Sequence, residues 1–208
     1  MITNGYVTIE ELQAHIDASG DASFAGGDRG NMELAIEAAS RWIDEQTGTR
    51  FYTTAETRYY TPDWSDLLYI DDLVAVTTLK TDDDGDGVYE TTWTATDYIL
   101  EPRNAALRNR PYRQIRINRN TGDYAFPVGV DYGVELVGSF GYQAGASTAA
   151  PANVRQACLL IAHRLWRRKD AIFGVAGTPG LGVTTIQAQI PRDSDVMTLL
   201  EAIDTRRI

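Results

Sequence analysis

Two hydrophobic periods divide this chain, and they cannot share one regular element. Met32, Ala35, Ile36, Ala39, Trp42 and Ile43 recur at helical spacing, so one stripe of a long helix is apolar. Val154, Ala157, Cys158, Ile161, Ala162 and Leu165 repeat the pattern far downstream. Between them lie short runs rich in tyrosine, threonine and tryptophan, such as Thr57–Thr61 and Leu67–Ile70, a composition that suits pleated, half-buried strands. The chain therefore reads as helix, then strand, then helix, an α+β protein whose central runs form an antiparallel sheet or small barrel.

The helical ends carry their own punctuation. Thr8 and Glu11 sit three apart ahead of Leu12, the spacing of a capping box, and Val7 and Leu12 occupy the positions of a hydrophobic staple. This first helix is predicted to run to about Ala18. Residues 19–30 hold four glycines and two aspartates and read as a loop. Gly48 is the predicted stop of the second helix. Further strands are predicted over Leu73–Lys80, Val88–Thr94, Tyr98–Leu100, around Ile115 and Ile117, and from Val134 to about Tyr142. A linker over 145–150 leads to Pro151, a residue suited to a first helical turn. Leu159, Leu160 and Trp166 widen the apolar girth of the third helix, which predicts burial against more than one partner. Val183–Ile186 reads as a short strand or arm, and Val196, Leu199, Leu200 and Ile203 as the stripe of a closing helix.

Composition excludes several functions. With 208 residues, 43% hydrophobic, the chain is long and apolar enough for a sizeable core. One cysteine, Cys158, excludes an internal disulfide framework, and two histidines, His15 and His163, are too few for a three-histidine metal site. No apolar run is long enough to cross a membrane, and the start lacks a basic region followed by an apolar stretch, so a soluble intracellular product is expected.

The net charge of -10 is unevenly distributed. Residues 1–101 hold 21 acidic and 5 basic side chains, and residues 102–208 hold 8 and 14. Only Lys80 and Lys169 are lysines, and arginine suits protein interfaces better than lysine does. The polarity along the chain is either two solvated faces or the basis of head-to-tail association between copies.

Most chemical motifs fail on inspection. Gly177–Gly182 resembles a phosphate loop but lacks the lysine of the triphosphate motif and the third glycine of the dinucleotide fingerprint. Gly138-Ser139-Phe140-Gly141 lacks the first glycine of a nucleophile elbow. Cys158 and His163 fall in a helix stripe and read as packed residues. The sharper motif runs from Asp82 to Glu90: Asp82, Asp84 and Asp86 stand at positions 1, 3 and 5, Gly87 follows, and Glu90 is at position 9. That is the opening of an oxygen-rich calcium loop, but Trp93 occupies the position of its closing Glu and the flanks are strands. The alternative is a polar hairpin tip. Asp82, Asp84, Asp86 and Glu90 are thus candidate calcium ligands, and a calcium-binding interaction module or a carboxylate-based hydrolase are the alternative functions. Arg103, Arg108, Arg110, Arg113, Arg116 and Arg119 form a run without an acid. It is readable as a nucleic-acid surface or as pairing with the acidic half of a neighbouring copy. The overall acidity argues for the neighbour.

The order of features resembles a known family. Tyr6-Val7-Thr8-Ile9-Glu10-Glu11-Leu12, Ala35 to Asp44 followed by Thr47-Gly48-Thr49-Arg50-Phe51, Pro151 to Ala162 with Leu165-Trp166-Arg167-Arg168, and Ile190-Pro191-Arg192-Asp193 to Leu200 resemble the helical parts of the head–tail connector (adaptor) proteins of long-tailed bacteriophages. The resemblance implies a helical core from residues 1–53 and 148–208, with the β-rich 54–147 as an inserted subdomain. It implies a structural virion protein and no enzyme: a homo-oligomeric ring, usually of twelve copies, under the portal protein. Such a ring extends the DNA channel and docks the tail or stopper neck protein. It holds no membrane and no cofactor, unless calcium sits at the 82–90 loop, and DNA slides past without specific binding. The protein would be made in the host cytoplasm and reside in the virion neck. Arg164, Trp166, Arg167 and Arg168 at the end of the third helix join the arginine run as interface candidates.

Overall fold

The structure is a computed structural model and describes residues 4–18, 28–121, 124–142, 150–168, 176–177, 183–184 and 194–201. The protein is α+β and divides into two compact units, Met1–Gly48 with Pro151–Ile208, and Thr49–Ala150.

The first unit is helical, with α1 (Ile9–Ala18), α2 (Arg29–Thr47), α3 (Ala152–Arg167) and α4 (Ser194–Glu201). The capping box forms: the Glu11 amide donates to Thr8 Oγ1 at 3.2 Å and the Thr8 amide to Glu11 Oε2 at 2.9 Å. Gly48 ends α2 in the left-handed conformation, its amide bonding the Asp44 carbonyl. Leu12, Ile16, Met32, Ile36, Ile43, Val154 and Val196 form the buried interior. Helix α3 packs against α1, α2 and α4, three helices of the same chain, which bury Val154, Ala157, Cys158, Ile161, Ala162 and Trp166 and leave Leu159, Leu160 and Leu165 half-buried. Ser40, buried in this interior, donates to the Ile36 carbonyl at 2.8 Å and accepts the Tyr6 amide at 3.1 Å. Two short strands, β7 (Ala176–Gly177) and β8 (Val183–Thr184), pair antiparallel. Otherwise the predicted glycine-rich stretch 174–182 lies outside the described residues, as do 19–27 of the predicted loop, 145–149 of the linker and the expected start of the last helix at 191–193.

The second unit is a six-stranded antiparallel sheet of β1 (Thr54–Tyr60), β2 (Leu67–Thr81), β3 (Thr91–Trp93), β4 (Tyr98–Glu101), β5 (Tyr112–Ile117) and β6 (Val134–Phe140). The order is β1-β6-β2-β5-β4, with β3 pairing β2 off that path. Its core holds Leu68, Leu73, Leu79, Trp93, Ile115, Phe126, Leu136 and Phe140. Trp93 stacks on Phe126 with ring centroids 4.8 Å apart and donates its indole N–H to Thr81 Oγ1 at 3.2 Å.

The strands differ from expectation in two places. The two runs predicted at 67–70 and 73–80 are one 15-residue strand. Asp71 and Asp72 between them read as a break, but the register shifts there, a bulge that re-aims side chains without ending the strand. Both acids then find cations: Asp71 meets Arg58 at 2.7 Å and Asp72 meets Arg113 at 2.8 Å. Conversely, the strand predicted over 88–94 shrinks to Thr91–Trp93, because the backbone before it bonds to aspartate side chains rather than to a ladder.

The polarity along the sequence also dissolves on folding. The helical unit holds 14 acidic and 10 basic side chains and the sheet unit 15 and 9. The acidic half supplies β2 and the basic half supplies β5 and β6, which flank it in one sheet. No unit is the acidic or the basic half.

Candidate functional site

The Asp82–Glu90 segment is the tip of the β2–β3 hairpin, held in register by Thr81 opposite Thr91. Asp82 is 3% exposed, and its carboxylate accepts the Gly85 amide at 2.7 Å and the Gly87 amide at 2.8 Å. Gly85 and Gly87 have φ of 80° and 86°, which swings these amides inward. Burial alone would raise the Asp82 carboxyl. The bonds from Gly87, Gly85, Asp86 and Asp84 outweigh it and hold the group below its ordinary value. Asp84 Oδ1 accepts the Asp86 amide at 3.2 Å and Asp86 Oδ1 accepts the Val88 amide at 2.8 Å. Carboxylate oxygens of Asp82, Asp84, Asp86 and Glu90 lie within 4.8 Å of one another. The donor set is oxygen only, which fits a hard cation such as calcium. The same carboxylates also hold the tip together through its own amides.

The arginine run is partly consumed inside the sheet unit. Arg113 Nε meets Asp72 at 2.8 Å, Arg116 Nε meets Glu101 at 3.0 Å, and Arg119 meets Asp66 at 2.5 Å. These three hold β5 and its exit to neighbouring segments of their own unit. Arg103, Arg108 and Arg110 are instead exposed on the β4–β5 connection, around a short helical turn at Ala106–Arg108. Leu107 at its centre is 85% exposed.

At the end of α3, Arg167 and Arg168 are exposed and Arg164 is half-buried. Trp166 is 8% exposed and belongs to the interior of the helical unit, not to its surface. His163, half-buried, meets His15 edge to face with ring centroids 5.3 Å apart. Partial burial, and then the neighbouring His163, push His15 below its ordinary pKa. No spacing in the sequence pairs these two residues, which come from α1 and α3. Cys158 is fully buried beside Ser40, 3.5 Å from its hydroxyl. Burial pushes its thiol up to about 11, the opposite of an activated nucleophile. Ser139 lies mid-strand in β6, between Ala55 of β1 and Ala75 of β2, and has no elbow geometry.

Sequence reasoning passed over one surface altogether. An open groove of about 770 Å³ runs beside β1, lined by Tyr59, Tyr89, Tyr132, Tyr60, Arg58 and Asp71 among others. The rings of Tyr59 and Tyr89 are 5.8 Å apart, and Tyr89 donates its hydroxyl to the Tyr132 carbonyl at 2.8 Å. Tyr60 stays protonated, pushed up to about 12 by burial and by Asp71. The tyrosines are scattered over 74 positions, so only the sheet brings them together; their excess in the central zone was the sole sequence signal.

No family model and no curated protein matches the sequence. Among solved structures, the chain is similar to a chain of the neck of an empty gene transfer agent particle with sixfold symmetry. That match has 21% identity and a TM-score of 0.60, over 100% of this chain and 94% of the other. A chain of the native particle's neck with twelvefold symmetry matches at 21% identity and TM-score 0.57, over 100% and 93%. A chain of the native gene transfer agent virion matches at 20% identity and TM-score 0.59, over 100% and 94%. At these identities the likeness is one of fold, and it takes in both units.

Proposed function

We propose that this chain is a structural neck protein of a phage-like particle, a head–tail connector that forms a ring and performs no catalysis. The observation that carries the reading is a fold shared over its whole length with chains from particle necks of sixfold and twelvefold symmetry. The helical segments at both ends supply the same elements as the connector resemblance, and the sheet unit is then the insertion between α2 and α3. In this reading twelve copies sit under the portal protein, extend the DNA channel, and offer the far face to the tail or stopper protein. DNA passes through without specific contacts, since a chain of net charge -10 repels phosphate. Among the described residues the candidate nucleophiles are packed or mid-strand, which agrees with a structural role. The test is deletion of the gene from the genome that encodes the chain. Heads should then fail to retain DNA or to join tails, and particles that keep DNA and carry tails would refute the reading.

A second reading, a calcium-binding role for the hairpin tip, is favoured by the four converging carboxylates. Calcium at 100 times its dissociation constant would stabilise the sheet unit by about 2.7 kcal/mol, and Asp84→Asn with Asp86→Asn would remove that gain. An unchanged melting temperature in millimolar calcium eliminates this reading.

A further inference from the structure

The two most distinctive surfaces of the sheet unit lie toward opposite ends of one strand order. Strands β1 and β4 terminate the order β1-β6-β2-β5-β4. Beside β1 runs the tyrosine groove, with Tyr59 48% and Tyr132 66% exposed. Its polar wall is the Arg58–Asp71 ion pair, at 2.7 Å, and the exposed Asp84 and Asp86 belong to the hairpin tip that contributes Gly87 to the lining. Leaving β4, the connection to β5 displays Leu107, 85% exposed, between the exposed Arg103 and Arg108. Neither arginine makes an ion pair among the described residues. A lone apolar side chain flanked by guanidinium groups is thus displayed toward one end of the sheet. An aromatic, acid-bordered groove lies toward the other.

We infer that these surfaces join successive copies of the chain: Leu107 of one copy seats among the tyrosines of the next, while Arg103 and Arg108 meet Asp84 and Asp86. The chemistry matches on both counts. Exposed tyrosine faces attract guanidinium groups, and apolar area leaves water on both sides. Opposite charges at the rim fix the register. A contact between two different patches is heterologous, and heterologous contacts close into rings when the rotation allows. The inference rests on the ring reading above and adds to it the contact that builds the ring.

Engineered cysteines test the pairing in assembled particles. The doubly substituted L107C/Y132C chain, oxidised in particles whose necks are imaged in parallel, should cross-link into a ladder of multimers on denaturing gels. L107C alone, Y132C alone, and L107C/T92C, whose second cysteine replaces the exposed Thr92 of β3, should stay single chains. Buried Cys158 should contribute no background. The pair R108C/Y59C serves if L107C/Y132C fails to fold, as judged by its melting curve. A ring visible in the neck with no ladder from either pair, or with an equal ladder from L107C/T92C, overturns the contact and leaves the ring standing. Necks that lack the chain altogether refute the ring reading, and this contact with it.

Discussion

Gly141→Ala should unfold the sheet unit more readily than any ordinary surface change. Gly141 follows β6 with φ of 131°, a region that side chains other than glycine rarely enter. Its amide donates to the Asp72 carbonyl at 2.8 Å, and the next residue, Tyr142, donates to the Arg50 carbonyl at 2.9 Å. The end of β6 is therefore pinned both to β2 and to the segment that enters the unit ahead of β1. A Cβ at position 141 would lie 2.0 Å from the Tyr52 carbonyl oxygen and 2.9 Å from its carbon. Both are backbone atoms, so no side chain can rotate away. The backbone strain costs about 1–3 kcal/mol and forced overpacking about 1–3 kcal/mol more. A loss of about 2–6 kcal/mol is a large share of the roughly 5–15 kcal/mol that holds a domain together. For a unit of this size it lowers the melting temperature by about 8 °C or more. The assay is urea unfolding followed by tryptophan fluorescence in a chain whose Trp42, Trp64 and Trp166 are replaced by phenylalanine, leaving Trp93, stacked in the core on Phe126. Gly87→Ala is the control: its φ is 86°, but nothing lies within 4 Å of an added Cβ, so it should lose only the strain. Equal losses at the two positions, or a loss below about 1 kcal/mol at Gly141, would refute the steric reasoning.

Three further outcomes follow from the packing. His15 has a folded pKa below its ordinary value of 6.5, so the unfolded chain binds its proton more readily. The stability of the helical unit is therefore full above about pH 6.5 and falls as pH drops toward the lowered value; His15→Gln should flatten that slope in melts from pH 7.5 to 5. Cys158, buried with its thiol at about 11, should resist iodoacetamide at pH 8 in the native protein and react fully in urea, read by mass. Asp82→Ala should free the Gly85 and Gly87 amides to exchange with deuterium, whereas Asp84→Asn should leave both protected, because Asp82 accepts those two bonds.

The helical unit was legible because its signals are local. The Thr8–Glu11 box, the Gly48 stop and the apolar stripes of α2 and α3 each lie within one or two turns, where residue spacing dictates geometry. The α+β class followed from the change of period between the ends and the middle. The sheet unit was less legible because its decisive pairings are distant. Asp71 and Asp72 look like a break until Arg58 and Arg113 arrive beside a bulge. Val88–Glu90 looks like strand until Asp82 takes the Gly85 and Gly87 amides and Asp86 takes that of Val88. The groove draws on β1, the hairpin tip and Tyr132, and no single window of sequence contains it. The acidic excess of residues 1–101 and the basic excess of residues 102–208 do not become separate units, since strands of both halves interleave in one sheet.

The proposed function requires that copies of this chain form a ring in the neck of a particle. An image reconstruction of that neck, from particles made by the encoding genome, tests it most directly. The expected result is a closed ring of this fold, helical unit and sheet unit both present, at the head–tail junction with sixfold or twelvefold symmetry. A complete neck resolved without this fold, or with the chain present as a single unringed copy, would contradict it.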